Sequence, residues 1–151
     1  MSDSPFFLDV NVPMYAAGKA HRYKEPCVWI LEQIASEQLS VATDTEVIQA
    51  VLYRYGALRE WEAAVTVANS LLDLIPRILP VTVDDMQMAV RLFEYYAPQG
   101  VKARDTIHAA VMTNNGLSTI ISTDKHFELF SEVVRVDPND LFVQRNGSEQ
   151  A

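Results

Sequence analysis

The chain has 151 residues, 49% hydrophobic and 21% charged, with a formal net charge of −8 and a pI near 4.7. That length suits one compact domain, the composition excludes extended disorder, and the acidic balance excludes a protein that grips nucleic acid through bulk basic charge. Cys27, the lone cysteine, excludes a disulfide framework or thiolate zinc site within one chain. The Met1–Pro5 start has no basic signal-peptide region, and no run of about 18 apolar residues suggests a membrane span. The expectation is a cytoplasmic protein.

In chain order, Phe6-Phe7-Leu8-Asp9-Val10 reads as a buried strand with one acid near its end. Pro13 can open a helix over Val12 to Ala17. Glu25 to Glu37 carries Val28, Leu31, Ile34 and Ala35 at helical spacing. Leu39 to Thr43 is a short strand, and Asp44 to Tyr55 a helix with Val47, Ile48, Val51, Leu52 and Tyr55 on one face. Thr43 and Glu46 fit a capping box, Thr43 as N-cap. Glu60 to Leu74 is helical. Ile78 to Val81 contains Pro80 and so predicts an edge strand. Thr82 to Ala97 is a helix, with Met86, Ala89, Val90 and Phe93 expected inward. Ala103 to Asn114 is a helix closed by Asn115-Gly116, Thr119 to Ser122 a strand, Asp124 to Phe130 a short helix, and Val133 to Val136 the last strand. Residues 144–151 read as a frayed polar tail, leaving 1–143 as one domain. Alternating short Val/Ile-rich strands and helices predict an α/β fold with a central, mostly parallel sheet flanked by helices.

Open parallel sheets bind ligands beyond the carboxyl ends of their strands. Asp9, Glu46 and Asp124 fall at such ends, and Asp105 opens the helix leading into a strand. Crowded carboxylates repel one another unless a cation compensates, and all-oxygen sets suit Mg²⁺ or Mn²⁺. Such sites serve phosphoryl chemistry with an activated water. Helix capping is the competing account of Glu46, Asp105 and Asp124; it fits Asp9, inside an apolar strand, less well.

The segments Phe7-Leu8-Asp9-Val10-Asn11, Thr45-Glu46-Val47, Lys102-Ala103-Arg104-Asp105-Thr106-Ile107-His108-Ala109-Ala110 and Ile120-Ile121-Ser122-Thr123-Asp124-Lys125-His126-Phe127 together resemble the PIN-domain family, and within it the VapC-type toxins. The resemblance covers roughly residues 6 to 137. It implies a three-layer α/β/α fold and Mg²⁺- or Mn²⁺-dependent hydrolysis of RNA, leaving 5′-phosphate and 3′-hydroxyl ends. It also implies Asp9, Glu46, Asp105 and Asp124 as catalytic metal ligands, and Asn11 and Ser122 as supporting polar residues. The chain departs from the family at His126, where many members carry a further acid; this puts a two-metal mechanism in doubt.

Lys102, Arg104, Lys125 and Arg54 are candidate RNA contacts or plain solvated surface. His108 shares a helix face with Asp105 and reads as a phosphate contact, a packed histidine or a cap; His21 and His126 receive no role. Trp29, Tyr53 and Tyr55 sit in helical patterns and read as packing residues rather than base-stacking ones. The cluster Leu71, Leu72, Leu74 and Ile75 reads as core, dimer contact or partner surface. The expected partners are an RNA substrate, a small antitoxin protein and a second copy of the chain. The competing functions are a non-catalytic PIN-like binding module and a metal-dependent phosphatase. Asn11 counts against the phosphatase, which needs a second Asp at that position.

Overall fold

A computed structural model describes residues 4–150, with side chains through Arg145. Its centre is a five-stranded parallel sheet in the order β3-β2-β1-β4-β5. The strands are β1 (Phe6–Leu8), β2 (Val41–Asp44), β3 (Arg77–Leu79), β4 (Thr119–Ile121) and β5 (Val134–Val136). Helices α1 (Asn11–Ala17) and α2 (Lys24–Ala35) follow β1, α3 (Thr45–Ala57) and α4 (Trp61–Leu74) follow β2, and α5 (Val83–Tyr96) and α6 (Ala103–Asn114) follow β3. Phe7, Leu8, Val41, Ala42, Ile120 and Ile121 are buried in the central strands. Their side chains alternate between the sheet's faces, so helices on both sides are needed to cover them. As expected, the Pro80-bearing segment forms the edge: β3 ends at Leu79, and the proline follows where no ladder hydrogen bond is required.

Three sequence expectations need correction. Thr43 does not cap α3: its hydroxyl donates to the Leu8 carbonyl at 2.9 Å, tying the end of β2 to that of β1. Asp44 is the N-cap instead, accepting from Val47 N at 3.0 Å, so no capping box engages Glu46. The α5 residues Met86, Val90 and Phe93 point outward, 42%, 65% and 44% exposed. Helix α5 instead buries Asp85, Ala89 and Tyr96, with Leu92 packed against the core. Tyr53, read as a packing residue, is also exposed.

The chain's end is helical. Helix α7 (Pro138–Gln150) runs through the segment read as a frayed tail. Asp137 Oδ1 accepts from Asn139 N at 2.9 Å, Pro138 suits a first helical turn, and Phe142 packs edge-on against Trp29. Residues 1–3 and 151 lie outside the described residues.

Candidate metal centre

Parallel pairing brings the carboxyl ends of β1, β2 and β4 side by side. Leu8 is in register with Ile121, so the next residues, Asp9 and Ser122, become neighbours although they are far apart in sequence. Asp9 N donates to the Ile121 carbonyl at 3.1 Å, fixing where its side chain starts. One Asp9 oxygen accepts from Val10 N at 2.7 Å. The other accepts from the Ser122 hydroxyl at 2.6 Å and from the Asn11 amide at 3.1 Å. Ser122 Oγ in turn accepts from Asp124 N at 3.0 Å and from Asn11 Nδ2 at 3.2 Å. One hydroxyl thus sets the spacing between Asp9 and the Asp124 backbone, and Asn11 braces both through its Oδ1, which accepts from Thr123 N at 3.3 Å. The two residues read from sequence as supporting ones hold this frame together.

Asp105 enters from the first turn of α6, where its Oδ2 accepts from Lys102 N at 3.1 Å. It caps the helix while lying close to Asp124 and His126, so the capping contact does not exclude the site reading. Burial pushes the Asp105 carboxyl up from its ordinary value; the Lys102 N–H and Arg104 oppose this, and the charges of Asp124 and Asp9 add to it. Ligand atoms of Asp105, Asp124 and His126 all lie within 4.8 Å of one another. Crowded like charges with a buried member are what a divalent cation relieves, and the oxygen-rich donor set suits one. The residues present therefore fit the metal that the fold implies.

Glu46 stands outside that trio. It is half-buried, and burial raises its carboxyl pKa; His108 and Arg104 lower it and Asp44 raises it further. Of the candidate RNA contacts, Arg104 and Arg54 sense the acids. Burial and Arg104 pull the Arg54 pKa down, while Asp9, Asp105 and Asp124 pull it up. Lys102 and Lys125 are exposed.

Two residues form the floor: Asp44, unassigned in sequence, and His108, for which a packed histidine is one of the readings. Asp44 and His108 are both fully buried, with His108 Nδ1 2.7 Å from Asp44 Oδ2. His108 Nε2 has no hydrogen-bond partner among the described residues and faces Asp9 Oδ1 at 4.0 Å. Burial pulls the imidazole pKa down, but the charge and hydrogen bond of Asp44, with Asp9 and Asp105, outweigh it and leave it above the ordinary value. Complete burial excludes His108 as a phosphate contact; it packs beneath the acids with Asp44 as its partner. The signal available in sequence was its spacing from Asp105, but Asp44 as its partner depends on β2 lying against the sheet beside α6. Cys27, buried in α2, has its thiol pushed up to about 12 by burial and by Asp137, which makes it a packing residue.

A family profile described as PIN domain matches residues 6–133. This chain belongs to the PIN-domain family. Among curated relatives of this PIN domain, Ribonuclease VapC13 of Mycobacterium tuberculosis is 30% identical over 129 residues, 85% of this chain and 97% of the relative. Ribonuclease VapC7 of the same organism is 29% identical, over 87% of this chain and 90% of the relative. The PIN fold recurs in the solved structure of M. tuberculosis VapC20, described as a sarcin–ricin loop cleaving toxin, with a TM-score of 0.71, 19% identity and coverage of 85% and 96% of the two chains. It recurs again in Rickettsia felis VapBC2 bound to a promoter DNA fragment, with a TM-score of 0.69, 14% identity and coverage of 89% and 98%.

Proposed function

We propose that this PIN domain is a divalent-cation-dependent endoribonuclease, the toxin of a type II toxin–antitoxin pair, working in the cytoplasm. The observation that carries the reading is the Ser122-centred frame holding Asp9 and Asp124 beside Asp105 at the carboxyl edge of the sheet. Asp9, Asp105 and Asp124 would hold Mg²⁺ or Mn²⁺, with Glu46 nearby. The cation supplies a water of lowered pKa and neutralises charge on the phosphodiester. Ser122, Asn11 and the Asp44–His108 pair keep the carboxylates in place, so little reorganisation is needed when RNA arrives. Arg54 and Arg104, next to the acids, suit the flanking phosphates. Among the described residues no helix is long and apolar enough to cross a membrane.

The antitoxin's seat in this reading is the apolar groove between α1, α2 and α4, lined by Ala16, Val28, Leu31, Val67 and Leu74 with Glu32 at its rim. An amphipathic, basic partner segment matches both the groove and a chain of net charge −8.

The deciding experiment incubates purified protein with single-stranded RNA. Cutting is expected with added Mg²⁺ or Mn²⁺ and none with EDTA. Asp9→Asn and Asp105→Asn are each expected to reduce cutting by about 100-fold or more while circular dichroism stays native. If both variants cut like the parent, the site assignment is wrong. If the parent cuts no RNA with either metal, the nuclease reading fails.

A further inference from the structure

His126 is the residue by which this site differs from an all-carboxylate one. Its Nδ1 lies 2.8 Å from Asp124 Oδ1, and it joins Asp105 and Asp124 in a group whose ligand atoms fall within 4.8 Å of one another. Adjacent donors on one octahedral divalent cation sit about 3 Å apart, so this spacing suits two donors on a shared ion as well as a hydrogen bond. The local backbone builds the arrangement. Asp124 caps the 3₁₀ turn Lys125–Leu129 and accepts from His126 N at 2.9 Å, so the residue two places on carries its ring back over the carboxylate. On the ring's far side is Gly100, at φ +103°, where an added Cβ would lie 3.5 Å from His126 Nε2. The side chain is 44% exposed, so an ion in water can reach it. An independent feature points to the adjoining acid Asp9 from below: the fully buried His108 Nε2, without a hydrogen-bond partner among the described residues, faces its Oδ1 at 4.0 Å.

We propose that His126 is a nitrogen ligand, beside Asp105 and Asp124, for the divalent cation, and that it tilts the centre toward Mn²⁺ over Mg²⁺. The inference rests on the reading of the acids as a metal site and adds one ligand and a selectivity to it. Carboxylate oxygens serve Mg²⁺ and Mn²⁺ alike, whereas imidazole favours first-row transition ions over Mg²⁺. A half-exposed imidazole also adds a donor without adding negative charge to a pocket that already crowds three acids.

The test uses the untagged full-length chain and two readouts that do not involve RNA. Pulsed electron paramagnetic resonance on the Mn²⁺-loaded protein is expected to show hyperfine coupling to a ligated ¹⁴N. His126→Asp is expected to abolish that coupling and to lower the ratio of Mn²⁺ to Mg²⁺ affinity, measured by calorimetry, by about tenfold. His126→Gln, a neutral replacement, is expected to lose the coupling too. Tight Mn²⁺ binding by the parent without ¹⁴N coupling overturns the proposal and leaves the carboxylate site standing. Coupling that persists in both variants overturns it as well. Failure of the parent to bind either ion overturns the proposal together with the metal-site reading beneath it.

Discussion

Asp44 serves two partners through separate oxygens: Oδ1 caps α3 at Val47 N, and Oδ2 holds the buried ring of His108. Replacing it with alanine removes a cap, worth about 1 kcal/mol, and strands a buried imidazole nitrogen, worth about 1–3 kcal/mol. Asp44→Ala is therefore expected to lower stability by roughly 2–4 kcal/mol in urea unfolding. A loss under about 0.5 kcal/mol would show that the pair contributes little to the floor of the site. The sequence hid this residue behind a sound local rule. Thr43 followed by Glu46 has the spacing of a capping box, but Thr43 is needed by the Leu8 carbonyl across the sheet, and the cap moves on by one residue. Asp9, Asp105 and Asp124 were legible because each sits at a strand end or helix start with a family-like segment around it. Asp44, in equivalent surroundings, differs only in what lies 64 residues away.

At the scale of elements, alternation of strands and helices was enough to predict the parallel sheet, since apolar β-branched runs and helical spacing are both local. The direction each helix faces was not. Helix α5 has apolar residues at a helical spacing that would serve equally well as a core face or as a surface stripe, and only the position of α6 decides. The exposed Val90 and Phe93 continue, with Met86, into a shallow apolar groove against Ile107 of α6. Two copies of a chain carrying −8 repel one another by net charge, and an uncharged stripe is a candidate face for self-association. Val90→Glu with Phe93→Glu is expected to convert a dimer to a monomer in light scattering, while Val67→Glu in the α1–α2–α4 groove is expected to leave that dimer intact. A parent that is monomeric at every concentration tested, or a double variant that still dimerises, removes the α5 face from this role.

The whole molecule balances opposed carboxylates. In Asp137, burial is outweighed by the Tyr23 hydroxyl, Asn139 N and Arg135, and its pKa falls; in Asp85, Asn114 and the Thr82 cap likewise outweigh burial. Their stabilisation is present above the ordinary carboxylate range and is lost as pH falls through their lowered values. Asp105 and Glu46 run the other way: the folded form holds their protons more tightly, stability declines as pH rises through their raised values, and the full cost stands at neutral pH. A cation bound at 100 times its dissociation constant adds about 2.7 kcal/mol, or roughly 5–10 °C in a chain of this size. Thermal melts at pH 7 are expected to rise by that amount with saturating Mn²⁺ and to return with EDTA. In Asp105→Asn the metal-free melt is expected to lie above the parent's and the Mn²⁺ increment to shrink. A metal-free variant that melts below the parent would contradict the sign assigned to Asp105.

The burial of Asp105 beside Asp124 and Asp9 has a consequence for how such a chain changes over generations. On the proposed assignment, exchange of the acid for its amide would disarm the protein and, in the same step, relieve the folded chain of the cost of a buried charge beside other acids. Inactivation runs downhill in stability, and the return path runs uphill. Under selection against a harmful nuclease, the disarmed chain that survives is a sturdier polypeptide than its parent. It would keep the α1–α2–α4 groove, and with it whatever partner that groove seats.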